Sequence, residues 1–168
     1  EKVQAHFDEP VEIAMRYGNP GSKEAFDKLL KRSPEITEVI ALPLYPHYAM
    51  SSYETAVENI KEVHQQNKYP FKLTIIPPYY NNKTYIAALA DSIRPYLAQE
   101  YDHILFSYHG VPARHIRKSD ITGSHCLKTN SCCETDSPAH KVCYRHQCFT
   151  TTRLVTKELG IPENRYSI

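Results

Sequence analysis

A histidine at position 109 closes the run Ile104-Leu-Phe-Ser-Tyr108 and is followed at once by Gly110 and Pro112. A histidine at the carboxyl end of a strand, just ahead of a turn, is placed to meet a ligand. An imidazole titrates near pH 6.5 in water, so it can accept a proton or hold a metal at neutral pH. The plain alternative is a turn histidine bonded to a neighbouring carbonyl. Cysteine is the other asymmetry. All five cysteines lie between Cys126 and Cys148, and the first 125 residues contain none. A disulfide scaffold would scatter an even number through a short secreted chain. Five thiols in one stretch suggest a local device, for a metal or for redox chemistry. The chain has no Gly-x-Ser-x-Gly, no Walker loop and no Gly-x-Gly-x-x-Gly, so hydrolase, NTPase and dinucleotide readings lack their signatures.

Elements must hold these groups in place. Val11–Arg16 reads as a first strand, stopped by the turn cluster Tyr17-Gly-Asn-Pro-Gly21. Ser22 is positioned to cap a helix with Ala25, Phe26, Leu29 and Leu30 on one face, ending at Ser33-Pro34. Glu38–Leu42 reads as a second strand and Phe71–Ile76 as a third, with an amphipathic helix from about Ser51 to Gln65 between them. A helix from about Asn82 to Leu97, bent near Pro95, leads to a fourth strand, His103–Tyr108. Residues from about Pro112 to Gln147 show no sustained period. A last helix, about Cys148 to Leu159, meets Gly160 as its C′ residue, and Arg165–Ile168 resembles a strand just starting.

Alternating strands and helices predict an α/β fold, a parallel β-sheet with flanking helices joined by right-handed crossovers. Ligands in such sheets gather at the carboxyl ends of the strands. Here those ends carry Arg16-Tyr17, Pro43 to His47, Pro77-Pro-Tyr79 and Tyr108-His-Gly110. The length, 168 residues, allows one domain or two small halves. Lys and Arg number 20 against 19 Asp and Glu, a net charge of +1, so the basic excess of a nucleic-acid binder is missing. No run approaches the roughly 18 apolar residues of a membrane helix, and the opening EKVQAHFDEP has no secretory pattern.

Four spaced motifs carry a resemblance. Phe106-Ser-Tyr-His-Gly-Val-Pro112, Met15-Arg-Tyr-Gly-Asn-Pro20, Leu42-Pro-Leu-Tyr-Pro46 and Cys148-Phe-Thr-Thr-Thr-Arg153 together are similar to ferrochelatases, from Val11 to Ile168. The resemblance implies two Rossmann-like chelatase halves, incomplete in this chain. Residues 1–77 would be the C-terminal part of the first half. Residues 78–168 would be the N-terminal part of the second, with a Cys-rich insertion at about 117–147. It also implies insertion of ferrous iron, Fe2+, into a porphyrin to form haem, a lyase reaction of the cytoplasm. His109 matches the family's essential histidine, as pyrrole base or as the residue that meets the substrate iron. Arg16 and Tyr17 match pocket-lining positions, Ser107 and Tyr108 flank the histidine, and Tyr45 is a weaker candidate more suited to packing. The acidic partner of the histidine would fall beyond Ile168, so this piece alone is expected to be inactive.

The resemblance weakens across the cysteines. Some ferrochelatases carry a 2Fe–2S cluster on four cysteines elsewhere in the chain, and one of those positions is Met50 here. A local iron–sulfur site on Cys126, Cys132, Cys133 and Cys143 is the leading expectation, with Cys148 a bystander. Zinc on cysteines with His125, His140 or His146 is a second reading, and disulfides or free thiols a third. Alternatives for the whole are a chelatase for cobalt or nickel and another tetrapyrrole, or a non-catalytic metal- or haem-binding module. Oligomeric state and peripheral membrane contact stay open, no basic amphipathic helix being visible.

Overall fold

The computed structural model describes residues 2–168. The chain divides into two compact units. One comprises residues 1–44 and 51–77, the other residues 45–50 and 78–168.

The first unit holds α1 (Ser22–Arg32), β1 (Glu38–Ala41), α2 (Thr55–Gln66) and β2 (Lys72–Ile75). β1 and β2 pair in parallel, Glu38 against Lys72 through Ala41 against Ile75. Phe26 and Leu29 of α1 are buried with Phe71, and Ile60 and Val63 of α2 close over them. These are the helical-period positions of the sequence, so the apolar stripes face one shared core. Lys23–Asp27 and Glu24–Lys28 ion pairs, at 2.6 and 2.7 Å, line the solvent side of α1. Ser22 does not cap α1. It is the first helical residue, and its hydroxyl donates to Asn59 Oδ1 at 2.9 Å.

Val11–Arg16 is not a strand. Its N–H groups find other acceptors: Val11 donates to Gln4 Oε1 at 2.7 Å and Met15 to the Pro20 carbonyl at 2.7 Å. With those donors engaged locally, an apolar run takes an irregular extended path.

The second unit holds α3 (Lys83–Leu97), β3 (Ile104–Leu105), α4 (Ala113–Ser119), α5 (Tyr144–Leu159) and β4 (Tyr166–Ser167). α3 packs on α5, and β3 pairs in parallel with β4, Ile104 against Tyr166 and Leu105 against Ser167. Of the expected strand to Tyr108, Ile104 and Leu105 are laddered, and the Phe106 N–H continues the pairing to the Ser167 carbonyl at 2.8 Å. α4 and the first turn of α5 lie where no period is visible in the sequence. Seven residues show barely two turns of periodicity, too few to stand out. Asn82 caps α3 by accepting from the Thr84 and Tyr85 N–H groups at 3.0 and 3.2 Å. Gly160 ends α5 at φ +65°, and Ile161 N–H returns to the Thr156 carbonyl at 2.9 Å, the geometry that glycine permits without strain. The fold is α/β with parallel pairing throughout, delivered as two short ladders, one in each unit.

Candidate active site

His109 lies four residues beyond β3 on an irregular segment along which exposure alternates, Phe106 and Tyr108 half-buried and Ser107 and His109 exposed. Tyr108 is its anchor. The Tyr108 ring turns inward, its hydroxyl shares a hydrogen bond of 2.8 Å with Thr152 Oγ1 on α5, and burial pushes its ionisation up. The alternation continues the two-residue period of β3, so with Tyr108 held inward His109 faces outward. Ser107, on the other side of Tyr108, is exposed as well.

A cavity of about 360 Å³ opens beside this segment. Phe106, Tyr108, Val111, Ile116, Tyr144 and Phe149 supply apolar and aromatic wall. His109, Ser107, Arg145 and the buried thiol of Cys148 are the polar groups on it. The volume falls in the range of small-molecule sites. Aromatic faces with one imidazole and one guanidinium suit a flat, apolar, acidic ligand.

Polar residues of α5 brace the wall. Thr151 Oγ1 donates to the Tyr80 carbonyl at 2.8 Å and accepts from His47 Nε2 at 2.9 Å, which places the His47 proton on Nε2. Burial lowers His47 to about 4, so the ring is neutral at physiological pH. It meets Tyr108 edge-on, centroids 5.6 Å apart at 89°. Gln147, fully buried, accepts from Tyr48 N–H at 2.6 Å and donates to the Lys141 carbonyl at 2.9 Å. Burial raises the Cys148 thiol and the Tyr144 phenol to about 12 each. The sequence reading places His47 at a strand end without a role and passes over Gln147, Thr151 and Thr152 as bracing. A signal was present: polar residues at i and i+4 on a helix that also carries a buried cysteine.

Arg16 and Tyr17 belong to the first unit. Arg16 is half-buried with its guanidinium 4.7 Å over the exposed Tyr17 ring, and Arg16 Nε is buried with no partner among the described residues. Tyr45, expected to pack, is 37% exposed. The second-unit cavity thus gathers Ser107, Tyr108 and His109 from the expected set, while Tyr45 is absent from its wall.

Cys126, Cys132, Cys133 and Cys143 are buried in one cluster with Ile116 and Ala139, all four as free thiols. Asp120 ties the start of this segment. Its carboxylate accepts from Thr122 Oγ1 (2.6 Å) and from the N–H groups of Thr122 (2.9 Å), His125 (2.8 Å) and Cys126 (2.7 Å). Burial pushes Asp120 up, and these bonds outweigh it, holding the carboxyl well below its ordinary range. Three imidazoles clamp the middle: His125 and His140 donate to the Cys132 carbonyl at 2.6 and 3.0 Å, and His146 to that of Cys133 at 2.8 Å. The His140 and His146 rings stack 3.6 Å apart. The hydrogen bond from Cys133 lowers the Cys143 thiol, and Cys133 rises correspondingly. Among the described residues, no three His, Cys, Asp or Glu side chains converge to hold a single metal ion.

A model of the ferrochelatase family matches residues 1–168, the full length of the chain. The chain belongs to the ferrochelatase family. Among its relatives, the ferrochelatase of Pseudomonas entomophila is 41% identical over 160 residues, 95% of this chain and 47% of the relative. That of Opitutus terrae is 40% identical over 159 residues, 95% and 46%. That of Ectopseudomonas mendocina is 38% identical over 170 residues, 100% and 49%. The chain spans about half the length of the curated relatives it matches.

Three of the four ferrochelatase-like motifs are irregular segments and the fourth is helical. Met15–Pro20, Leu42–Pro46 and Phe106–Pro112 are the irregular ones, the last two directly after β1 and β3, and Cys148–Arg153 is the middle of α5. An iron–sulfur cluster, the group expected on the cysteines, can be tested against this arrangement. Four thiols sealed together from water are the donor set a 2Fe–2S cluster takes. Such a cluster binds two thiolates at each iron, so it does not call for three donors at one point. The four buried thiols match that donor set in type and number; the zinc reading needs a convergence that the described side chains do not make.

Proposed function

We propose that the intact protein inserts ferrous iron into a protoporphyrin-type porphyrin, forming haem and releasing two protons, as a metal chelatase of the lyase class. One observation carries this: an exposed imidazole, His109, on the wall of a mainly apolar cavity at the end of β3 that includes the rings of Phe106, Tyr108, Tyr144 and Phe149. A free-base porphyrin must lose two N–H protons before a dication can sit between its four nitrogens. An uncharged imidazole can accept each in turn, where an ammonium could not. An exposed ring can pass each proton to water before accepting the next. Aromatic walls cover the macrocycle's face and keep water from its nitrogens. Arg16, Tyr17 and Tyr45 are proposed substrate-contacting residues on the strength of their motifs, Arg16 through its guanidinium.

His109→Ala in the intact protein should lower iron insertion by about 100-fold or more, the usual size of a general-base contribution, while porphyrin binding persists. Undiminished insertion would remove His109 from the mechanism, whereas wild type that binds porphyrin but inserts no iron would be a non-catalytic binding module. Cobalt or nickel entering sirohydrochlorin in preference to iron entering protoporphyrin would favour the other chelatase reading.

Cys126, Cys132, Cys133 and Cys143 are proposed to hold a 2Fe–2S cluster. When bound, the cluster supplies a cross-link through the segment and a one-electron couple. Anaerobically purified protein should be coloured, with two irons per chain; a colourless, iron-free product would end this reading. Five thiols with no disulfide support a reducing compartment, the cytoplasm.

A further inference from the structure

Among the described residues, Arg145 is the one permanently charged side chain on the His109 cavity wall. It sits in the first turn of α5, half-buried, with its guanidinium stacked 4.9 Å from the centre of the Phe149 ring. A guanidinium carries five N–H donors in a rigid fork. Among the described residues, the one polar partner of this fork is Cys132 Sγ, at 4.0 Å. No oxygen accepts from it and no carboxylate pairs with it there. Compare Arg32, which pairs with Glu12 at 2.9 Å, or Arg165, which donates to the Tyr101 carbonyl. A half-buried cation without an oxygen acceptor, held in one plane by an aromatic ring, is poised for an anion from outside the chain.

We infer that Arg145 is the anion-binding side chain of the His109 cavity, taking a carboxylate of the ligand as His109 faces that ligand's centre. The identity of the ligand as a porphyrin acid rests on the proposed function; the anion preference rests on the geometry alone. The planar fork matches a carboxylate with two parallel bonds, which lysine, a point charge, cannot reproduce. The contact with the Phe149 ring restrains the guanidinium before a ligand arrives and so lowers the entropy cost of ordering it. The same side chain touches Cys132, so an acidic ligand and the Cys132 sulfur draw on one cation.

The test titrates the intact protein, by fluorescence, with protoporphyrin and with its dimethyl ester. Wild type should bind the free acid at least tenfold more tightly than the ester, and Arg145→Gln should lose that preference while keeping its ester affinity. Arg145→Lys, which keeps the charge and serves if the glutamine variant does not fold, should fall between them. Equal losses for acid and ester, or no change for either, would overturn the assignment and leave Arg145 a packing residue. A second pair separates this from the porphyrin reading: anionic 8-anilinonaphthalene-1-sulfonate against uncharged N-phenyl-1-naphthylamine. Should neither porphyrin bind wild type, the porphyrin reading falls, and the naphthalene pair still decides. An anion preference lost in Arg145→Gln supports the arginine, and an unchanged one rejects it.

Discussion

His47 shows how a single ring can tie stability to pH. Its Nε2 proton is committed to Thr151, its edge faces Tyr108 and Tyr144, and burial holds its folded value at about 4. An unfolded histidine titrates near 6.5. Below that pH the unfolded chain takes up a proton that the folded ring refuses. The contribution is therefore complete above about pH 6.5 and is lost as pH falls toward about 4. Urea unfolding across this window should show stability declining with acid, and His47→Gln should flatten the decline. An unchanged slope in the variant would place the titration elsewhere. Asp120 acts in a lower window. Its carboxyl is held below the unfolded value of about 3.9, so its support is complete above that pH and fades beneath it. Asp120→Asn weakens charge-assisted bonds to the Cys126 and His125 amides, and native alkylation of Cys126 should quicken roughly tenfold. His109 could be singled out from sequence, because a strand end and a turn are local signals. Arg145 could not, since what distinguishes it is the absence of an oxygen partner across two folded segments.

At the scale of elements, α1, α2 and α3 were legible because each runs eleven residues or more with apolar positions at helical spacing. α4 was hidden by its seven-residue length, and α5 begins at Tyr144, four residues earlier than the pattern suggested. There His146 and Gln147 are turned inward by hydrogen bonds, so polar residues occupy an inward face and blur the period. The strand reading that failed, Val11–Arg16, failed because a strand needs a partner, and apolar alternation cannot report whether one is present. The Asn82 cap is a cleaner signal, with two amides on one side-chain oxygen. Asn82→Ala should cost about 1 kcal/mol in urea unfolding, the typical value of such a cap. A loss below a few tenths would mean that α3 is held by its packing on α5 alone.

For the molecule as a whole, the α/β class followed from alternation of patterns, whereas the contacts of the cysteine segment required the folded chain. Its order comes from Asp120, three imidazoles and Gln147 acting across sequence gaps that no local period spans. All five thiols are no more than 4% exposed and none is paired. Metal-free protein should therefore yield five reactive thiols in denaturant without reductant, and fewer than one in brief native labelling. A denatured count of three would reveal a disulfide and contradict the arrangement.

Both ladders contain just two strands, β1 with β2 and β3 with β4. Each strand among the described residues thus keeps one row of amides and carbonyls unladdered, and Ile40 and Leu105 stand beside those rows 65% and 71% exposed. Such borders are templates for stray chains. Handled by itself at high concentration, this polypeptide should self-associate through its sheet margins, and a lysine at position 40 or 105 should keep it dispersed.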